Sequence, residues 1–226
     1  MFLDNRKKHE VMLLDSSKPQ HLFYVRASGV LVCLTLFVLG LIGIPRIYFF
    51  FLTNWGTTLS LSYFVLSTLS YRWSFLCKPG CNLMQIAWNL ESTISVCYWC
   101  INYPLSQNEE YMWYMVLVHI VPTVLLSLDL YYNKVKFTKT NVYWAFGIWF
   151  VYSFGVNLPV TLMVRQLYPL LTYKNVWSYL MVLIVNGVLF GLGYAGCRYK
   201  NSSLKKETTQ VTFVQLDSIK LDDFIK

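Results

Sequence analysis

The chain has 226 residues, of which 56% are apolar, 18% aromatic and only 13% charged, with a formal net charge of +8. Soluble domains carry about 25% charged residues, so this composition excludes an ordinary water-soluble globule. The basic excess does not by itself indicate a nucleic-acid partner, because its distribution along the chain reads as a membrane-topology signal.

Apolar runs able to cross about 30 Å of hydrocarbon occur near 27–44, 47–70, 84–103, 112–131, 142–164 and 177–196. They predict an all-α, polytopic transmembrane bundle of about six spans, with five as the alternative because Glu91 and His119 interrupt the third and fourth runs. The corresponding division is a polar N-terminal tail (1–21), a six-helix transmembrane domain (22–200) and a polar, peripheral C-terminal tail (201–226). Residues 1–21 are polar and mixed in charge, so the first span reads as an uncleaved anchor. Six spans place the N-tail (with Arg26), the 71–83 and 132–141 loops and the C-tail on one side. Of the 19 Lys and Arg, only Arg46, Arg165 and Lys174 then fall on the other. This asymmetry predicts cytosolic termini in an integral, multi-pass protein of the endoplasmic reticulum or plasma membrane.

In chain order, the Pro45-Arg46 link makes the first two spans antiparallel neighbours. Thr53, Thr57, Ser60 and Ser67 form a polar stripe along the second. Hydroxyls in membrane helices usually bond back to the preceding turn or across to a neighbour. Cys77 and Cys81 lie in the next loop, ~24 Å of helix from Cys97 and Cys100, so the two pairs cannot make one metal site, and no metal or cofactor is expected. Glu91, in the third span, is a candidate buried acid. It is expected to bond a hydroxyl on span two or Asn186 on span six, as a structural group or as a proton relay.

His119 in the fourth span is the most informative position. An ionisable group at that depth is costly and marks a functional site by default. Pro122 cannot donate to the Val118 carbonyl, which leaves either a helix kink or a free acceptor for the imidazole. Asp129, at the far end of the same span, is expected at the interface facing Lys134 or Lys136. In span six, Gly187, Gly191 and Ala195 make a small-residue ridge, expected to pack inside the fold rather than to drive dimerisation. Asn201-Ser202-Ser203 is a glycosylation sequon that the topology puts in the cytosol, where it is unused.

Thr53, His119 and Asn157 should lie at one level, the first two ~10 Å below the non-cytosolic surface at helical rise. A threonine hydroxyl is a poor nucleophile until a neighbouring neutral imidazole takes its proton. An oxyanion would need donors, and Asn54, the Trp55 indole or Asn157 are the candidates. The alternative is a structural His119 bonded to a hydroxyl on an adjacent helix.

At these residues the chain resembles the six-span family that includes the androgen-induced hydrolases of branched fatty-acid esters and the rolling stone proteins. The resemblance rests on Phe51-Leu52-Thr53-Asn54-Trp55-Gly56, on His119 followed by Asp129, and on Tyr168-Pro169, within about residues 45–196. It implies an intramembrane hydrolase with Thr53 as nucleophile and His119 as base. The substrates would be fatty-acid esters of hydroxy fatty acids entering from membrane lipid, with no cofactor. Val116 stands where the hydrolase branch has a second histidine. The rolling stone branch implies instead a non-catalytic scaffold or cell-fusion factor, or a structural subunit of a membrane complex. A transporter using Glu91 is the third alternative.

Overall fold

A computed structural model describes residues 18–106, 112–164, 166–168 and 171–224. The described chain is built of helices. These are α1 (Pro19–Gly43), α2 (Leu52–Leu69), α3 (Cys77–Cys97), α4 (Met112–Tyr132), α5 (Lys139–Val151) and α6 (Val176–Phe224). Two of them run on past a change of helix type. α3 continues through a π-helical turn (Tyr98–Asn102) and a short α-turn (Tyr103–Ser106), and α5 through a π-helical turn (Tyr152–Asn157) and a last α-turn (Leu158–Met163). Pro19 opens α1, where a missing N–H costs nothing. Thr138 caps α5, its hydroxyl accepting from the Asn141 N–H.

Four segments are long and apolar enough to cross a membrane: Pro19–Gly43, Met112–Tyr132, Lys139–Met163 and Val176–Lys205. The two helices outside that set, α2 and α3, carry the most buried polar side chains. α3 packs against α2, α4, α5 and α6 and buries Gln85, Asn89, Glu91, Ser92 and Thr93. A helix walled by protein meets little lipid, so its side chains need protein partners rather than apolarity. α1 lies against α2 and α4, and α5 pairs with α6. Tyr63, Phe64, Met84, Leu90, Leu126 and Leu189 form the middle of the core, while Leu31, Ile42, Val151 and Leu183 point outward.

One end of the bundle is tied by polar side chains. Arg26 donates from Nε to Asp129 Oδ2 at 3.0 Å and from Nη2 to Oδ1 at 3.3 Å, and both residues are fully buried. Asn133 Nδ2 adds a 2.8 Å bond to the same carboxylate. Asp129 therefore does not face Lys134 or Lys136, and Arg26 belongs to α1 rather than to a tail. Their bidentate geometry is what allows two opposite charges to be buried together. Lys200 Nζ donates to the carbonyls of Leu130 and Asn133 at the end of α4, a position where a helix leaves acceptors unpaired. Gln85 clamps Thr138, donating to its carbonyl and accepting from its N–H, both at 2.7 Å. Asn201 clamps Phe137 in the same way at 3.0 and 3.3 Å, so the sequon asparagine is engaged in holding the α4–α5 link.

The backbone of residues 201–224, within the stretch expected as a polar C-terminal tail, continues α6 as helix. One further expectation needs correction. The Gly187–Gly191 ridge does not pack inside the fold, since a Cβ at either glycine would meet nothing within 4 Å. The close approaches of α6 are instead at Gly193, where a Cβ would come within 2.7 Å of Val142 and 2.9 Å of Asn89 Nδ2, and at Gly196 against Trp88.

Candidate functional site

At the opposite end, α2 begins just after a 3-10 turn (Tyr48–Phe50) and the extended residue Phe51. Thr53 is the second residue of the helix, and its Oγ1 lies 3.1 Å from Nε2 of His119 on α4. The other ring nitrogen, Nδ1, is 3.0 Å from the Met115 carbonyl. A carbonyl only accepts, so Nδ1 carries the proton. In the neutral ring this leaves the Nε2 lone pair facing the threonine, and the Thr53 hydroxyl donates to it. The third member of this hydrogen-bonded chain is thus a main-chain carbonyl one turn back on α4, and the Val118 carbonyl freed by Pro122 is not the imidazole's partner.

The imidazole is also held on its face. Tyr98, the first residue of the π-helical turn after α3, stacks on it with ring centroids 3.5 Å apart and planes 13° from parallel. Ser95, one turn earlier, donates to the His119 carbonyl. His119 is 5% exposed.

These groups border a cavity of about 360 Å³ whose wall includes Thr53, Asn54, Tyr98, His119, Tyr152 and Asn157. Both π-helical turns contribute to that wall, with Tyr98, Ile101 and Asn102 from one and Tyr152, Ser153 and Asn157 from the other. A π turn accommodates an extra residue and disturbs the regular carbonyl ladder, and such turns concentrate at functional sites. Most of the remaining wall is apolar, including Ile44, Leu52, Ile94, Val118 and Val185.

The α5–α6 connection closes over the same space. Tyr168 accepts the Leu52 N–H at 3.1 Å, Tyr152 donates to the Phe50 carbonyl at 2.7 Å, and the two phenol oxygens are 3.2 Å apart. Tyr173 sits at φ 56°, a left-handed conformation unusual for a bulky residue. Its phenol accepts from Asn157 Nδ2 at 2.9 Å, and its N–H donates to Ser178 Oγ at 3.0 Å. These bonds hold the strained residue at both ends.

The residues singled out from sequence are distributed as follows. Thr53 and His119 touch, and Asn157 and Asn54 line the same cavity. The Asn54 amide donates to the Tyr48 carbonyl at 2.6 Å. Asn157 is held between Tyr173 and Thr161, the latter donating to its Oδ1 at 3.2 Å. Trp55 is outside the cavity wall, its indole N–H bonded to the Phe49 carbonyl at 2.8 Å. Glu91 lies deeper on the α2–α3 seam, fully buried, accepting from Ser60 Oγ at 3.2 Å. Asn186 bonds within its own helix to the Val182 carbonyl. The back-bonding expected of membrane hydroxyls holds for Thr58, Ser62 and Ser67 and not for Thr53. Among the described residues, no three His, Cys, Asp or Glu side chains gather where a metal could sit.

Sequence reasoning missed Tyr98, Ser95 and the Met115 carbonyl. A tyrosine among 17 in the chain carries no mark of its own, and no residue pattern announces a π turn. The only signal available was position, since Ser95 and Tyr98 share the face of α3 that meets α4. In comparisons with known proteins, no family model, no curated protein and no solved structure matches this chain.

Proposed function

We propose that this chain is an integral, multi-pass membrane protein of six spans with cytosolic termini, and that it hydrolyses lipid esters within the membrane. It would stand with the androgen-induced hydrolase and rolling stone family that its Thr53 and His119 segments resemble. The observation that carries this reading is the 3.1 Å approach of Thr53 Oγ1 to His119 Nε2 at the wall of a largely apolar cavity.

The chemistry follows from the tautomer. Thr53 Oγ attacks the ester carbonyl carbon as its proton passes to Nε2, and the Met115 carbonyl keeps the Nδ1–H directed and steadies the charge. The tetrahedral oxyanion collapses, the ester C–O bond breaks, and the departing alkoxide takes the proton back from Nε2. Water then attacks acyl-Thr53 with His119 again as base, releasing the fatty acid and restoring the hydroxyl. The Thr53 N–H, in the first turn of α2 where no helical carbonyl precedes it, would be the donor for the oxyanion, since its neighbours are engaged: Leu52 N–H with Tyr168 and Asn54 N–H with the Phe51 carbonyl. No cofactor takes part. A cavity of this size and apolarity suits acyl chains, and fatty-acid esters of hydroxy fatty acids are the substrate class that the resemblance brings.

A non-catalytic scaffold is the second reading. It is favoured by one observation: the amides of Asn54 and Asn157 are already engaged within the protein. The test is release of free fatty acid from a synthetic fatty-acid ester of a hydroxy fatty acid by the purified protein in detergent. Hydrolysis that is lost in Thr53→Ala with the fold intact supports the hydrolase. A folded wild type with no hydrolysis of this or simpler long-chain esters favours the scaffold.

A further inference from the structure

We infer that Tyr98 is a positioning residue for the base, and that the π-helical turn it begins is the device that aims it. This rests on the hydrolase reading above. The imidazole is gripped on three sides: Thr53 at Nε2, Met115 at Nδ1 and the Tyr98 ring flat against its face. Two edge bonds hold the ring within its plane but resist tilting out of that plane only weakly, and such a tilt would swing the Nε2 lone pair off the hydroxyl. A parallel ring 3.5 Å away blocks that motion. Ser95 holds the His119 backbone from the same face of α3, so main chain and ring are both fixed by one helix.

The stack has an electrostatic consequence as well. The face of a phenol ring carries the negative part of its quadrupole. When Nε2 takes the Thr53 proton, the imidazole becomes a cation lying over that face, so the attraction grows as the reaction proceeds. An interaction that strengthens with the developing charge favours the transition state over the resting state. The ring face carries this role rather than the phenol hydroxyl. Phenylalanine should therefore substitute for Tyr98, and an aliphatic residue should not.

The experiment measures covalent labelling of the intact, detergent-solubilised protein by a long-chain fluorophosphonate, an electrophile that does not depend on the natural ester. Thr53 Oγ attacks phosphorus, fluoride leaves, and the hydroxyl proton passes to His119. Saturation kinetics separate the limiting rate of labelling from the apparent binding constant. Tyr98→Phe and Tyr98→Trp are expected to label within about 2-fold of wild type. Tyr98→Leu is expected to lose about 10-fold or more in limiting rate while its binding constant moves by less than about 3-fold, the scale of one charge–ring contact. Tyr98→Met is the second aliphatic variant should the leucine form not fold.

A loss confined to the binding constant, or none at all, would overturn the positioning role while leaving Thr53 and His119 in place. A phenylalanine variant as slow as leucine would overturn it too, by assigning the effect to the hydroxyl. A folded wild type that is not labelled at Thr53 would remove the underlying hydrolase reading, and this inference with it.

Discussion

His119 is bonded at both ring nitrogens, and its two partners differ in kind. The Met115 carbonyl is fixed by the α4 backbone, whereas the Thr53 hydroxyl can turn. Removing Thr53 should therefore cost the fold little. We predict that Thr53→Ala lowers stability by about 1 kcal/mol, the usual worth of one hydrogen bond, while abolishing reaction at that position. His119→Asn keeps an amide of similar reach but offers no base, and should slow the reaction by about 10²-fold or more. Both are read by comparing thermal unfolding in detergent with the rate of ester cleavage. The Thr53–His119 contact was legible in the sequence because counting residues from the same ends of spans two and four puts both side chains at one depth. Tyr98 was not, because its role depends on a local change of helix type rather than on residue identity. Trp55 looked like a donor by proximity along the chain, yet the tight 3-10 turn before α2 offers its indole the Phe49 carbonyl instead.

Between elements, the seam of α2 and α3 carries the buried acid. Glu91 accepts one bond from Ser60, and its other oxygen has no hydrogen-bond partner among the described residues. Gly56 stands against it, where a Cβ would lie 2.8 Å from Oε1 and 2.7 Å from Ile94. Gly56→Ala should destabilise the bundle by about 1–3 kcal/mol through overpacking, as seen by its unfolding temperature. Glu91→Gln keeps the shape and the Ser60 bond. It should leave ester cleavage within about 2-fold of wild type, and a larger loss would make Glu91 a proton relay. At the other end, Arg26 and Asp129 should be coupled. Arg26→Met or Asp129→Leu alone strands a buried charge and should cost about 3–5 kcal/mol, whereas the double variant should cost far less than the sum. Asp129 was misread from sequence because the lysines nearest along the chain were assigned to it. Its partner comes from a helix 103 positions away, and sequence distance gives no hint of that.

Over the whole molecule, the two ends have opposite characters. The end near Asp129 is fastened by side-chain clamps on the α4–α5 link, and the end near Thr53 encloses the cavity beneath Tyr168. Under the proposed orientation and function, the fastened end would face the cytosol and the chemistry would lie toward the opposite leaflet. The helical class and most segment positions were readable because apolar runs of spanning length are a strong signal. The sequence marked the third and fourth runs as interrupted, yet α4 is long and apolar enough to cross, whereas α2, whose run raised no such doubt, is outside that set. For α3 the interruption has a cause: it is surrounded by four other helices and so is released from the demand for apolarity. If all six helices cross, tags at the two termini should both be reached by antibody only after the plasma membrane is permeabilised. A tag exposed at one end without permeabilisation would rule out an even number of crossings.

The central claim is that Thr53 is an activated nucleophile, and its most direct test is to map the site of fluorophosphonate attachment on the purified, folded protein by peptide mass spectrometry. The account predicts a single adduct on Thr53, absent in Thr53→Ala and in His119→Asn. A folded protein that takes up no probe, or takes it up at another residue with Thr53 unmodified, would contradict it and leave the Thr53–His119 contact as a bond between helices.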